Sequence, residues 1–146
     1  DDVARLALIG VPDKPGIAFQ VFSMLAKDKI NIDIILQSIG RDGTKDISLT
    51  VPISQKDAAV ECLKREQKLF GAQDVEVDDT VSKVSIVGAG MQSNPGVAAK
   101  MFEALYEKEI NIRMISTSEI KISVLIDRDK SKEAVRAIHD AFYGEE

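Results

Sequence analysis

Two Pro-Gly pairs, Pro15-Gly16 and Pro95-Gly96, each open a stretch of helix-like apolar spacing. The first helix turn leaves backbone N–H groups without an internal partner and carries the positive end of the macrodipole. Glycine at that mouth lets a ligand approach the backbone closely. Together these features make a receptor for a carboxylate or phosphate. The donors are the amides of Gly16, Ile17 and Ala18 in the first stretch, and those of Gly96, Val97 and Ala98 in the second. Asp13 stands beside the first mouth and could take an ammonium, as could the carbonyls around Asn31; Gln37 falls on a strand passing the same edge. An acid-catcher beside an amine-catcher describes a free amino acid. The helix-end contact contributes only about 0.3–1 kcal/mol, up to about 2 when partly buried. Millimolar to micromolar affinity needs about 4–8 kcal/mol, so one mouth alone is half a site. The bland alternative is a plain strand-to-helix turn.

The elements that position these groups occur twice. "KPGIAFQVFSMLAKDKINI" from Lys14 and "NPGVAAKMFEALYEKEINI" from Asn94 align at an offset of 80 residues, with ten identities over the 24 pairs that begin at Pro15/Pro95. A period this long marks duplication of a small domain, not a solenoid. In each copy an alternating run ("ARLALIG", "SKVSIVG") predicts a first strand. Apolar residues at 17, 18, 21, 22, 25, 26 and 30, and at the matching positions of the second copy, predict an amphipathic helix. "NIDIILQSI" and "NIRMISTSE" predict second strands, and "DISLTVPI" and "KISVLID" third strands. The first hairpin loop, Ile39 to Asp46, carries Asp42-Gly43; the second runs only from Glu119 to Lys121. Second helices are predicted from Gln55 to Phe70 and from Ser131 to Phe142, with early Ser or Asp residues as caps. A short strand near "DVEV" closes copy one. The expected architecture is α+β: two ferredoxin-like βαββαβ domains in tandem, 1–80 and 81–146, each an antiparallel sheet with helices on one face. The closing strand of the second is absent or supplied from elsewhere.

Composition narrows the function. The chain has 146 residues, a formal charge of −5 and 5% aromatics, with neither the basic face nor the stacking platform of a nucleic-acid binder. No apolar run reaches the roughly 18 residues of a membrane span, and the start lacks a signal peptide's pattern. One cysteine, Cys62, excludes an internal disulfide and points to the cytoplasm. "VGAGM" lacks the third glycine of a dinucleotide fingerprint, Ser93 standing there instead. His139 reads as a solvated surface residue and Cys62 as core. Asp1-Asp2, Asp78-Asp79 and Asp127-Arg128-Asp129 read as solvated strand ends, not metal sites. No Ser/His/Asp or Cys/His set suggests catalysis, and no cofactor or metal is implied. The acylphosphatase type, which shares the topology, needs an arginine in a loop that here reads "VPDK" or "AGMQSN".

With these residues in view, "VPDKPGIAFQVFSMLAKDKINIDIILQSI" and "VSKVSIVGAGMQSNPGVAAKMFEALYEKEINIRMISTSEIKISVLI" closely resemble the tandem ACT domains at the regulatory end of bacterial aspartokinases, over nearly the whole chain. "STSEIKISVLI" is the most specific stretch. The resemblance implies βαββαβ amino-acid sensors that bind lysine, threonine or both between ACT units and feedback-inhibit aspartate phosphorylation. It also implies a homodimer working with an aspartokinase catalytic domain or subunit. The family's effector positions fall on Asp13, Gly16, Ala18, Ile30, Asn31, Asp33 and Gln37, and on Val97, Ala98, Asn111, Ile112, Ser118 and Glu119. It implies that each pocket pairs one copy's helix mouth with the other's Ile-Asn-Ile edge, which explains the need for two copies. Copy two departs from the pattern: it has no acid at the place of Asp13, only Ser93 and Asn94, with Glu119 as a substitute. The rival reading is an assembly module that senses nothing.

Overall fold

We describe the chain from a computed structural model, which describes residues 2–40, 42–88, 96–118 and 120–143. It forms two compact units. One is Val3–Asp79; the other is Thr80–Glu146 with Asp1–Asp2.

The first unit runs β1 (Asp2–Pro12), α1 (Ile17–Lys27), β2 (Ile35–Ile39), β3 (Thr44–Pro52), a 3-10 turn at Ile53–Gln55, α2 (Lys56–Arg65), α3 (Gln67–Phe70), and the opening of β4 (Asp74–Val87). Its strands lie in the order β2-β3-β1-β4. The β1/β3 and β2/β3 pairs are antiparallel. Alternate residues of β3 (Ile47, Leu49, Val51) and of β1 (Ala4, Leu6, Leu8) join Val21 and Leu25 of α1, Cys62 and Leu63 of α2, and Phe70 in one core. This two-residue period is what puts one face of a strand under the helices.

The second unit contains the rest of β4, then α4 (Gly96–Glu107), β5 (Met114–Thr117), β6 (Lys121–Asp127), a 3-10 turn at Arg128–Lys130, and α5 (Ser131–Tyr143). Its strand order is β4-β6-β5, again antiparallel. Ile122, Val124 and Ile126 of β6 pack with Val84, Met101, Leu105, Ala134 and Ile138. The two units thus repeat one plan, with helix faces of like composition set on alternating strands. Among the described residues no helix is long and apolar enough to cross a membrane.

Several elements differ from expectation. The predicted helix Gln55–Phe70 breaks at Glu66 (φ −101°, ψ 11°) into α2 and α3, which seats Phe70 in the core and lets Gly71 turn with φ 73°. No side chain caps α2; the 3-10 turn leads into it. The closing strand of copy one and the opening strand of copy two are one 14-residue strand, β4. The second strands are shorter than "NIDIILQSI" and "NIRMISTSE", beginning at Ile35 and Met114. The first hairpin loop is also tighter than Ile39–Asp46, with strands ending at Ile39 and resuming at Thr44. The Asp42 carboxylate accepts bonds from the Thr44 amide (3.2 Å) and hydroxyl (2.6 Å), and Gly43 takes φ 80°. The "AGMQSN" turn lies outside the described residues.

Candidate functional site

The mouth of α1 is built by an irregularity in β1. The β1/β3 register shifts between Leu8 and Val11, where Gly10 adopts φ 66° and donates its N–H to the Asp46 carboxylate at 2.9 Å. Such a bulge bends a strand and re-aims the residues after it. Beyond it Val11 faces Lys45 and Pro12 faces Thr44. The Asp13 amide then donates to the Gly43 carbonyl at 2.9 Å, and the Lys14 amide to the Pro12 carbonyl at 3.0 Å. Gly16 caps α1 in the left-handed region (φ 93°, ψ −16°), and no side chain caps the helix. The Gln20 amide already bonds the Gly16 carbonyl at 3.0 Å, while the Ile17 amide only grazes the Lys14 carbonyl at 3.5 Å. Asp13, Lys14, Pro15 and Gly16 are exposed, so the mouth stands open to solvent and is not filled by the chain's own side chains. Ile17 leans on the core and Ala18 is half-buried beside it.

Asp13 has company that sequence reasoning missed. The Lys45 ammonium lies 3.7 Å from its carboxylate, and the Lys45 side chain is only 11% exposed against 41% for Asp13. The signal was legible. Lys45 continues the alternation of Ile47, Leu49 and Val51, so the period itself places a cation on the helix-covered face.

The Ile-Asn-Ile segment sits at the far end of the unit. An 11-residue helix is about 16 Å long, so within one unit Gly16 and Asn31 cannot grip the same amino acid. This corrects the expectation that the Asn31 carbonyls lie beside the Gly16 mouth. The segment has a structural reason to exist. Lys29 takes φ 61°, its amide donates to the Ala26 carbonyl (2.9 Å), and the Ile30 amide donates to the Leu25 carbonyl (2.9 Å). That pairing is a Schellman cap, whose following apolar residue packs back on the helix. Copy two repeats it with Glu109 (φ 57°), Ile110→Leu105 at 3.0 Å and Glu109→Tyr106 at 2.9 Å. Ile30 and Ile110 are accordingly 7% and 5% exposed, and the Ile30 side chain belongs to the core.

The other expected positions are spread over both units. The Asn31 amide donates to Gln55 Oε1 at 2.8 Å, and Gln55 Nε2 donates to the Lys29 carbonyl, so Gln55 was a missed clamp. The Asp33 amide donates to the Thr50 carbonyl. Gln37 is exposed on edge strand β2, opposite Ile47. In the second unit Val97, Ala98 and Ile112 are half-buried against the core and Asn111 is exposed. Gly96 opens α4, and the Ser118 amide donates to the Lys121 carbonyl at 2.7 Å in the hairpin. Glu119, Ser93 and Asn94 lie outside the described residues.

Acids weighed as metal ligands face cations instead: Asp79 faces Lys56 at 2.9 Å, Asp127 faces Arg113 at 2.9 Å, and Asp2 faces Arg128 at 3.4 Å. His139 is exposed on α5 and tilts against Tyr143. Burial pushes the Cys62 thiol up to about 11, with Asp28 adding to the rise. A groove of about 470 Å³ runs between β4 and α5 of the second unit, lined by Val84, Ile86, Val87, Val135 and Phe142. None of the candidate effector residues lines it, so the chemistry rests on the helix mouth and not on cavity volume.

Comparison with known proteins identifies the family of this fold. The family model described as ACT domain matches residues 6–67 and 84–142. An aspartate kinase of Pseudomonas fluorescens is 48% identical over 141 residues, 97% of this chain and 34% of that protein. An aspartokinase of Corynebacterium glutamicum is 49% identical, covering 95% of this chain and 34% of the relative. The chain therefore spans about a third of the length of these relatives. Among solved structures, the aspartokinase alpha and beta subunits align with TM-score 0.88 at 49% identity, covering 97% of this chain and 93% of that one. The ligand-free regulatory subunit of aspartate kinase from Thermus thermophilus aligns with TM-score 0.89 at 40% identity and the same coverage. The chain belongs to the ACT-domain family, as a tandem pair of the kind that forms the regulatory region of aspartokinases.

Proposed function

We propose that the chain is an amino-acid sensor through which threonine, lysine or both feedback-inhibit aspartate phosphorylation by an aspartokinase catalytic domain or subunit in the cytoplasm. The observation that carries this reading is the uncapped, solvent-open start of α1 with Asp13 beside it. The effector's carboxylate takes the amides of Gly16, Ile17 and Ala18, and its ammonium takes Asp13. The second half of the site comes from another ACT unit, through residues of the Ile30, Asn31, Asp33 and Gln37 set or the Asn111, Ile112, Ser118 and Glu119 set. The mouth formed by Gly96, Val97 and Ala98 is the counterpart in copy two. A homodimer supplies enough units for such sites. The effector shifts the kinase only by its differential affinity for two arrangements of the assembly.

Calorimetric titration with threonine and with lysine is the direct test. Asp13→Ala should weaken binding several-fold, about 1 kcal/mol for a half-exposed charged partner, and should lower the thermal midpoint without unfolding the protein, because it leaves the nearly buried Lys45 without its counter-ion. An absence of heat and of thermal shift at millimolar effector would remove the sensor reading. One observation favours the rival assembly module: edge strand β2 exposes Ile35, Leu36 and Ile39, the last at 78%. Sedimentation with and without amino acids separates the two, since a pure module associates equally in both.

A further inference from the structure

The Asp13 carboxylate that should receive an effector's ammonium already faces one. Lys45 Nζ lies 3.7 Å away, and this is the only ion pair of Lys45 among the described residues. Lys45 cannot simply drift into water: its side chain is 11% exposed, flanked by Val11 on β1 and Ile39 on β2. The backbone of Asp13 is anchored in place as well, its amide donating to the Gly43 carbonyl. An incoming ammonium must therefore displace Lys45 from Asp13 or share the carboxylate with a like charge, and both weaken its binding. The two copies support the coupling. Lys45 stands two residues before Ile47 of the core, and Ile120 takes that place before Ile122 in copy two, where the acid is missing as well. In the sequence the acid and the lysine stand together in copy one, and the matching positions of copy two are Ser93 and Ile120.

We propose that Lys45 is an internal competitor for the effector's ammonium, which sets the concentration at which the first mouth registers an amino acid. The proposal rests on the reading that Asp13 binds that ammonium. It also concerns affinity, not the existence of the site, so removing Lys45 should make the sensor more sensitive. Lys45→Met keeps the buried alkyl stem and deletes the charge, so the fold should survive; a thermal melt checks this.

The experiment is a double-mutant cycle read by calorimetry in the purified protein, with threonine and separately lysine as probes. The variants are Lys45→Met, Asp13→Asn and the pair together. Lys45→Met should tighten binding about two- to five-fold, the size of an ion pair at a half-exposed site. In the Asp13→Asn background the same change should do nothing. Weaker binding of Lys45→Met in both backgrounds would show that Lys45 holds the carboxylate, and would overturn the proposal. Weakening by Asp13→Asn with no effect of Lys45→Met would also overturn it, leaving the site itself intact. Indifference to both changes would remove Asp13 from the site, and the competitor with it.

Discussion

Gly16 and Gly43 form a matched pair that separates backbone strain from ligand access. Both hold positive φ, 93° and 80°, and a Cβ added at either meets nothing within 4 Å. Gly16→Ala and Gly43→Ala should therefore carry the same conformational cost and no steric one. The left-handed region costs an L-residue roughly 1–2 kcal/mol. Alanine returns about 0.4–1 kcal/mol by stiffening the unfolded chain, so the net loss is about 1 kcal/mol for each. With a urea slope of about 1–3 kcal/mol per molar, each midpoint should fall by roughly 0.3–1 M. Binding should split the pair. The new Cβ at Gly16 occupies open space on the residue whose own amide a carboxylate must approach, whereas at Gly43 the carbonyl that holds the Asp13 amide remains. Threonine or lysine affinity, measured by calorimetry below the unfolding transition, should drop for Gly16→Ala and hold for Gly43→Ala. Equal affinities would refute the mouth as the carboxylate site. A Gly16→Ala protein as stable as the parent, beside a destabilised Gly43→Ala, would refute the backbone argument.

Buried and paired groups give two further expected outcomes. Burial raises the Cys62 thiol to about 11, leaving about one thiolate in ten thousand at neutral pH; iodoacetamide should spare the folded protein and label it in urea, and rapid native labelling would contradict the buried assignment. Arg65, whose guanidinium lies 3.0 Å from Asp28, holds that carboxyl below its ordinary 3.8. A folded value below the unfolded one contributes stability that is present above about 3.8 and lost as pH falls through the folded value. Arg65→Met should therefore flatten the acid limb of a stability-versus-pH curve in that window and leave neutral-to-alkaline slopes alone; an unchanged acid limb would show that the pair is not coupled to folding.

How much of this was legible in the chain depends on where each backbone bond goes. The apolar stripes of α1 and α4 and the alternation of "ARLALIG" in β1 stood out because their partners are local or repeat at a fixed period. The start of β2 did not. Its expected first residues give their N–H groups to Gln55 Oε1, the Thr50 carbonyl and Thr50 Oγ1, acceptors 16 to 24 residues away that no local pattern announces. Likewise "VDDT" reads as a boundary between strands, yet β4 runs through it, with Asp79 held by Lys56 from α2. The phrase that suggests a binding edge, Ile-Asn-Ile, is the sharpest case. Its repetition has a packing cause, since the isoleucine that follows each left-handed cap must return to the helix it ends. That cause accounts for Ile30 and Ile110 and leaves the asparagines free for other work. The mouth of α1 has no such packing cause: the helix starts without a side-chain cap, beside an acid that faces a nearly buried lysine. The argument for binding thus moves from the residues that the two copies share to the uncapped start of α1, with Asp13 beside it.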